Sequence, residues 1–134
     1  MIKDIPKYTV EDVALAVVKE ENEKGEPGWA VYVVNMKNDE LQGVLVSSKG
    51  YGTYNGEEVK TSTLRHFLDD VPPKSYEKIE PIMDTLFGLT NEYWLSYYMN
   101  GRMYDKKYIF LPESINEEYF ITIPIMNKKG VMIK

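Results

Sequence analysis

The sequence predicts a single domain over residues 1–134, folded as an all-β sandwich of about seven strands with one short helix. Two Asn-Gly pairs lie between stretches rich in β-branched and aromatic residues, and such pairs favour tight hairpin turns. Short apolar stretches follow one another with mostly turns between them, a spacing typical of sandwiches and small barrels. The chain also holds 11 tyrosines, a residue type enriched in strands. A chain of 134 residues can bury a core without disulfides.

The first element has two possible structures. The segment Thr9-Val-Glu-Asp12 resembles a capping box, and Gly25 would end a helix that begins there, which would make the fold α+β with an N-terminal helix. Residues 13–18, however, are apolar at every position. Because a surface helix shows an apolar stripe and not a continuous run, we expect a buried strand and keep the helix as the alternative.

Two hairpins are predicted at Asn55-Gly56 and Asn100-Gly101. A type I′ turn needs positive φ at both central residues, and Asn and Gly tolerate this. The predicted hairpin strands cover residues 51–54 and 57–61 around the first turn, and residues 93–99 and 102–111 around the second.

The middle of the chain contains further strands and the helix. Residues 37–40 are predicted to form a turn between strands over 29–36 and 41–47, and a strand predicted over 59–68 would lead into an Asp-Asp-Val-Pro-Pro loop. A strand is predicted over 75–80, followed by a short helix over 81–87. Pro81 suits the first position of a helix, and Gly88 would end it.

The C-terminal region has a clear period of two. Isoleucine occupies positions 121, 123 and 125, which predicts a strand over 119–126. Pro124 lacks a donor and would fit best on a sheet edge. Residues 127–130 are predicted to form a turn before a last strand over 131–133.

Three stretches resemble parts of immunoglobulin- or fibronectin-III-like sandwich modules. Trp29-Ala-Val-Tyr-Val-Val-Asn35 is similar to a central strand that ends at a turn, and Val71-Pro-Pro-Lys-Ser-Tyr76 is similar to a proline-bearing corner. Glu92-Tyr-Trp-Leu-Ser-Tyr-Tyr98 resembles the core strand opposite. The Cys…Trp…Cys pattern of antibody domains is absent. The resemblance implies an immunoglobulin-like sandwich, a type of module that hosts many functions.

Charge and composition limit the classes of partner and the cellular location that the sequence predicts. The 16 Lys and Arg residues face 21 Asp and Glu residues, and the net charge of −5 disfavours a nucleic-acid partner. Without cysteine there are no disulfides, iron–sulfur clusters or thiol nucleophiles. The N-terminal residues lack the apolar segment of a signal peptide, and the longest apolar run is too short to span a bilayer. We therefore expect a cytoplasmic protein with no membrane partner.

The sequence predicts no catalytic residue, no cofactor and no metal site, so we expect that the chain is not an enzyme. A Ser-His-Asp triad would need His66, the only histidine, and no Gly-x-Ser-x-Gly motif is present. A period of two places His66 on the same face of a strand as Leu64 and Leu68. This favours a half-buried structural histidine. The pair Asp69-Asp70 has calcium-ligand chemistry, but a solvated turn is the favoured interpretation.

The candidate contact surface consists of Tyr51, Tyr54, Arg102 and Tyr104. Two of these residues precede the first Asn-Gly turn and two follow the second, so they would form one patch if both hairpins ended at the same pole. The alternative is that the tyrosines only stabilise their hairpins through cross-strand pairs.

The function expected from the sequence is a non-catalytic interaction or binding module. Its partner would be an unknown protein or a second copy of the chain, bound through an edge strand as a homodimer. The alternative is a small-molecule or carbohydrate-binding domain that uses the hairpin tyrosines. A third hypothesis is an enzyme whose acidic residues, scattered through the sequence, converge in a pocket.

Overall fold

The computed structural model describes residues 8–134, which form an all-β sandwich of two antiparallel sheets. The predicted fold class is confirmed, and the described chain has ten strands where about seven were predicted. The strands are β1 (Val13–Glu21), β2 (Pro27–Asn35), β3 (Leu41–Tyr54), β4 (Glu57–Lys60), β5 (Leu64–Val71), β6 (Ser75–Ile82), β7 (Thr90–Met99), β8 (Arg102–Phe110), β9 (Ile121–Ile123) and β10 (Lys128–Ile133).

The strand order explains how one long strand organises the first sheet. That sheet has the order β4-β3-β7-β8, and β5 also pairs with β3. Because β3 has 14 residues, β5 pairs with its first part and β4 with its last part, on the edge opposite β7. The second sheet has the order β6-β2-β1-β10-β9.

The core lies between the sheets and accounts for the apolar run in β1. Val13, Leu15 and Val17 face the first sheet and pack in the main core. Ala14 and Ala16 point the other way, into a second apolar cluster that includes Tyr32 and Met126. Because both faces of β1 are buried, every position from 13 to 18 is apolar, and the predicted strand is confirmed against the helix alternative.

Helical structure is shorter than predicted. In place of a helix over residues 81–87, the structure has a single 3₁₀ turn, Asp84–Leu86, and a second such turn lies at Glu117–Tyr119. Strand β6 continues through Pro81 to Ile82, since β6 is the outermost strand of its sheet and proline is tolerated at a sheet edge. Over residues 8–134 no helix has the length and apolar character needed to cross a membrane.

The predicted strand over residues 119–126 is wrong at both ends, because Tyr119 belongs to a 3₁₀ turn and the strand ends at Ile123. Strand β9 is only Ile121–Ile123, and the chain then makes a tight turn in which Ile125 has a φ of 69° and Asn127 one of 57°. The amide of Asn127 donates to the carbonyl of Ile123 at 2.9 Å and closes the turn. The predicted turn over 127–130 therefore lies three residues too late, and Gly130 is part of β10.

Both Asn-Gly turns have the predicted geometry. The φ angles are 51° and 80° at Asn55 and Gly56, and 53° and 74° at Asn100 and Gly101. All four values lie in the left-handed region that a type I′ turn requires.

Replacing Gly101 with valine should lower the free energy of unfolding by about 1 kcal/mol or more, because a β-branched residue resists positive φ. Chemical denaturation measures the loss. The matched control is Gly101→Asn, which should cost less because asparagine tolerates this conformation. Equal losses for the two variants would contradict the backbone explanation.

Candidate functional site

The four residues of the predicted contact surface do not lie together. Tyr51 pairs with Thr90, at the first residue of β7, whereas Arg102 pairs with Met99, at the last. These two ends of the first sheet are about nine residues, or roughly 30 Å, apart along the strands. The single patch expected from the sequence is therefore not formed. Because β3 and β7 are antiparallel neighbours, the turn that follows β3 and the turn that follows β7 lie at opposite ends of the sheet.

At one pole, Arg102 and Tyr104 are engaged within the chain. The ring of Tyr104 stacks on Tyr97 at 5.3 Å and lies 5.4 Å from the ring of Tyr8. The guanidinium of Arg102 lies 4.9 Å from the Tyr8 ring centre. Burial, with the neighbouring Tyr104, raises the pKa of Tyr97 to about 12. Tyr104 is half-buried and packs against the main core, so its ring contributes to the packing of the domain.

At the other pole, Tyr54 is exposed beside the turn, and Tyr51 lies on the outer face of the first sheet. The hydroxyl of Tyr51 donates to the carboxylate of Glu92 at 3.2 Å. The ammonium of Lys49 lies 6.0 Å from the Tyr51 ring centre. Tyr51 thus borders a larger surface that the sequence did not reveal.

That surface is the outer face of the first sheet, where large apolar side chains remain in contact with solvent. Phe67 is 63% exposed, Tyr98 50% and Trp94 42%. Cross-strand pairing places Phe67 beside Leu45, and Tyr98 beside Met103. We call this surface the aromatic face, and its apolar members are Leu45, Phe67, Trp94, Tyr98, Met103 and Ile109.

Charged and hydroxyl side chains surround Trp94 on the aromatic face. The strand register runs Arg65, Ser47, Trp94 and Lys107 across the four strands in one row. The Lys107 ammonium lies 5.1 Å from the centre of the Trp94 ring, and the Lys49 ammonium lies 3.6 Å from the carboxylate of Glu92. Together these groups line a shallow hollow of about 370 Å³. The centre of the face therefore offers a flat ring bordered by cations, one carboxylate and hydroxyl groups.

Sequence reasoning missed the aromatic face because both faces of β7 carry aromatic side chains. Tyr93 and Tyr97 point into the core, while Trp94 and Tyr98 point outward. Polar–apolar alternation, the usual signal for the solvated face, is thus absent from this strand. One signal in the sequence could have indicated the face. It is the period of two in β7 together with Ser47 and Ser96, small polar residues at outward positions next to Trp94.

A polar cluster centred on Glu80 joins the two sheets. A β-bulge in β6 turns its side chain toward the first sheet, where Ser48 donates to Oε1 at 2.8 Å and Tyr93 to Oε2 at 3.0 Å. The Nε2 atom of His66 lies 2.7 Å from Oε1. Burial raises the pKa of Tyr93, and the charge and hydrogen bond of Glu80 add to this shift.

This cluster lacks the geometry of a nucleophilic triad. In a triad the imidazole lies between the hydroxyl and the carboxylate, whereas here the carboxylate lies between Ser48 and His66. The adjoining cavity measures about 50 Å³, room for a water molecule or two and too small for most substrates. His66 is partly buried and makes a structural contact.

A larger cleft of about 670 Å³ lies beside the β1–β2 hairpin and the end of β6. It is lined by the acids Glu20, Glu21, Glu23 and Asp84, together with Trp29 and Met83. Burial raises the pKa of Glu20, but hydrogen bonds from Lys78 and Tyr32 and the charges of Lys78 and Lys128 outweigh it and leave that pKa below its ordinary value. Glu20 is thus an ionised anchor for its neighbours and is unsuited to donate a proton.

The possible metal ligands of the described residues are dispersed. Over residues 8–134 no group of three or more histidine, aspartate or glutamate side chains is placed to hold a metal ion. At the acidic pair singled out in the sequence, Asp70 accepts the amide of Gly43 at 2.9 Å and Asp69 has a φ of 60° in an irregular part of the β3–β5 pairing.

Comparisons with known proteins place the chain in no family. No protein-family model matches it, and no curated protein matches its sequence. Among solved structures, it is similar to the crystal structure of Spo0M, a sporulation control protein from Bacillus subtilis, at 11% identity and a TM-score of 0.33. The match covers 76% of this chain and 49% of that one, so the chain matches about half the length of Spo0M. At that TM-score the likeness supports no inference about function.

Proposed function

We propose that this chain is a non-catalytic interaction module and that the aromatic face is its contact surface. The observation that carries the proposal is the set of six large apolar side chains exposed on one sheet face, where the strand register pairs Phe67 with Leu45 and Tyr98 with Met103. Isolated exposed apolar residues are normal, but contiguous patches on a monomer are usually interaction sites. The composition also fits, because tyrosine, tryptophan, phenylalanine and methionine are enriched in interfaces.

The size of the patch supports a protein partner. The exposed fractions of Phe67, Tyr98 and Trp94 sum to about one and a half side chains. With roughly 200 Å² for each aromatic side chain, they alone contribute about 300 Å². A standard interface buries about 800 Å² on each partner, of which somewhat more than half is apolar. The aromatics, with Leu45, Met103 and Ile109, supply an apolar area of this order.

The proposal includes two features expected from the sequence, an immunoglobulin-like type of sandwich and a location in the cytoplasm. The resemblance of three sequence stretches supports the first, and the cysteine-free composition is compatible with the second.

Carbohydrate binding is the second candidate, and the hollow beside Trp94 is the observation that favours it. A flat indole ring can stack on the apolar face of a sugar. Ser47, Arg65 and Glu92 would supply hydrogen bonds around it. In this form the site uses Trp94 and not the hairpin tyrosines Tyr51, Tyr54 and Tyr104, which do not line the hollow.

Removing two exposed aromatics from the face tests the proposal. We expect the double variant Phe67→Ser, Tyr98→Ser to keep its melting temperature and to weaken binding of a protein partner by about 2 kcal/mol or more, the scale of an interface hot spot. The partner is recovered by affinity capture on the wild-type chain, and its affinity for each variant is then measured by calorimetry.

The matched control replaces two equally exposed apolar residues elsewhere. The variant Tyr54→Ser, Met83→Ser removes side chains that are 66% and 69% exposed but lie off the aromatic face, and it should bind normally. Unchanged affinity in the face variant would contradict the proposal. Selective binding of a glycan, lost on Trp94→Ala, would replace it with the carbohydrate candidate.

A further inference from the structure

The charges on the aromatic face are arranged in a way that suits a second copy of the same face. Asp105 and Lys107 are both exposed, and both occupy outward positions on the edge strand β8. They belong to adjacent rows of the sheet. Asp105 aligns with Ser96 and Leu45, whereas Lys107 aligns with Trp94 and Ser47. Opposite charges thus lie in neighbouring rows of one strand.

We infer that two copies of the chain associate through the aromatic face, around a two-fold axis that runs across the strands between these two rows. The inference rests on the proposed function and names the partner. Such an axis places each row of one copy opposite the other row of its partner. Lys107 then faces the partner's Asp105, and Asp105 faces the partner's Lys107. Because a two-fold interface repeats every contact, the pair forms twice.

The same rotation matches the remaining positions of the two rows. Arg65 faces the partner's Phe67, a cation on an aromatic ring. The large Trp94 ring faces the partner's small Ser96. One row further out, Ile109 faces the partner's Met103, an apolar pair. Face-to-face sheets in sandwiches cross at about 30°, which leaves contacts close to the axis in register.

Net charge explains why association would use this face. The chain carries a net charge of −5, so two copies repel each other over most of their surface. The aromatic face has the cations Lys49, Arg65 and Lys107 against the acids Glu92 and Asp105. With Lys60, Glu58 and Asp70, which also lie on this side of the sheet, the charges balance, whereas the chain as a whole is acidic. The face therefore combines the exposed apolar area with a local release from that repulsion.

Charge reversal on β8 tests the arrangement directly. Asp105→Lys places two lysine pairs across the interface, and Lys107→Asp places two aspartate pairs there. Each single variant should raise the dimer dissociation constant by about a hundredfold, measured by sedimentation equilibrium. An equimolar mixture of the two variants should form a heterodimer, because the lysine introduced in one copy then meets the aspartate introduced in the other. The double variant Asp105→Lys, Lys107→Asp should recover the homodimer.

The control is Glu77→Lys, an exposed charge reversal on β6 of the second sheet, which should not weaken the dimer. Melting curves confirm that each variant is folded. A wild-type chain that stays monomeric at millimolar concentration overturns the inference, and so does a dimer that the single reversals leave intact or the mixture fails to restore. If Phe67→Ser, Tyr98→Ser still abolishes binding of another protein in those cases, the proposed function stands and only the second copy is rejected.

Discussion

Replacing Gly130 with alanine should lower the free energy of unfolding by about 3 kcal/mol. Gly130 lies in β10 opposite Val18 of β1. A Cβ atom at this position would lie 2.5 Å from the carbonyl oxygen of Val17 and 2.8 Å from a methyl carbon of Val18. The oxygen belongs to the backbone of the central strand of the second sheet, so it cannot move without disturbing the pairing on both sides. Chemical denaturation measures the loss.

Gly28→Ala is the matched control for this prediction. Gly28 also lies in a strand of the second sheet and pairs with β1, but a Cβ atom there would meet only the carbonyl oxygen of Glu20, at an ordinary 3.5 Å. Its effect should stay within about 0.5 kcal/mol. If both variants lost the same stability, the general cost of side chains at strand glycines would explain the result, and close approach of β10 to β1 would not.

The predictions that succeeded rest on local chemistry. The two Asn-Gly turns were predictable because positive φ at adjacent residues is a property of the dipeptide itself. The strand at residues 13–18 was predictable because a continuous apolar run of this length requires burial on both faces. Neither argument needs a contact with a distant part of the chain.

The predictions that failed depend on distant contacts or on conflicts between local signals. Period two over residues 119–126 predicted one strand, but Pro124 cannot donate a ladder hydrogen bond and Ile125 adopts positive φ in the turn that follows. The role of Gly130 depends on the backbone of Val17, more than a hundred residues away in sequence. In the sequence alone, a glycine that belongs to a turn cannot be distinguished from a strand glycine that packs closely against the neighbouring strand.

The candidate site shows the same limit. Outward aromatic residues on β7 alternate with inward ones, so the face to which Trp94 belongs becomes clear only once the strand has neighbours. The acid at position 80 was one of 21 in the sequence. Its three hydrogen-bond partners come from three other strands and lie 13 to 32 residues away from it in the sequence.

Replacing Glu80 with alanine should lower the free energy of unfolding by about 3 kcal/mol or more. The hydroxyls of Tyr93 and Ser48 are on buried residues and donate to the Glu80 carboxylate. Removing the acceptor leaves both donors unpaired, and a buried unpaired polar group costs about 1–3 kcal/mol. Loss of the contact with His66 adds to this cost, because it also joins the two sheets. The measurement is a urea denaturation curve at neutral pH.

Two further variants identify the cause of the loss. Glu77→Ala removes an exposed carboxylate from the same strand and should change stability by no more than about 0.5 kcal/mol. Glu80→Gln keeps one acceptor oxygen and should fall between the wild type and Glu80→Ala. If Glu80→Ala were as stable as the wild type, the cluster would not be a cross-sheet brace. A carboxylate held beside a hydroxyl and an imidazole without any contribution to folding would then point to a reactive role, against the non-catalytic function proposed here.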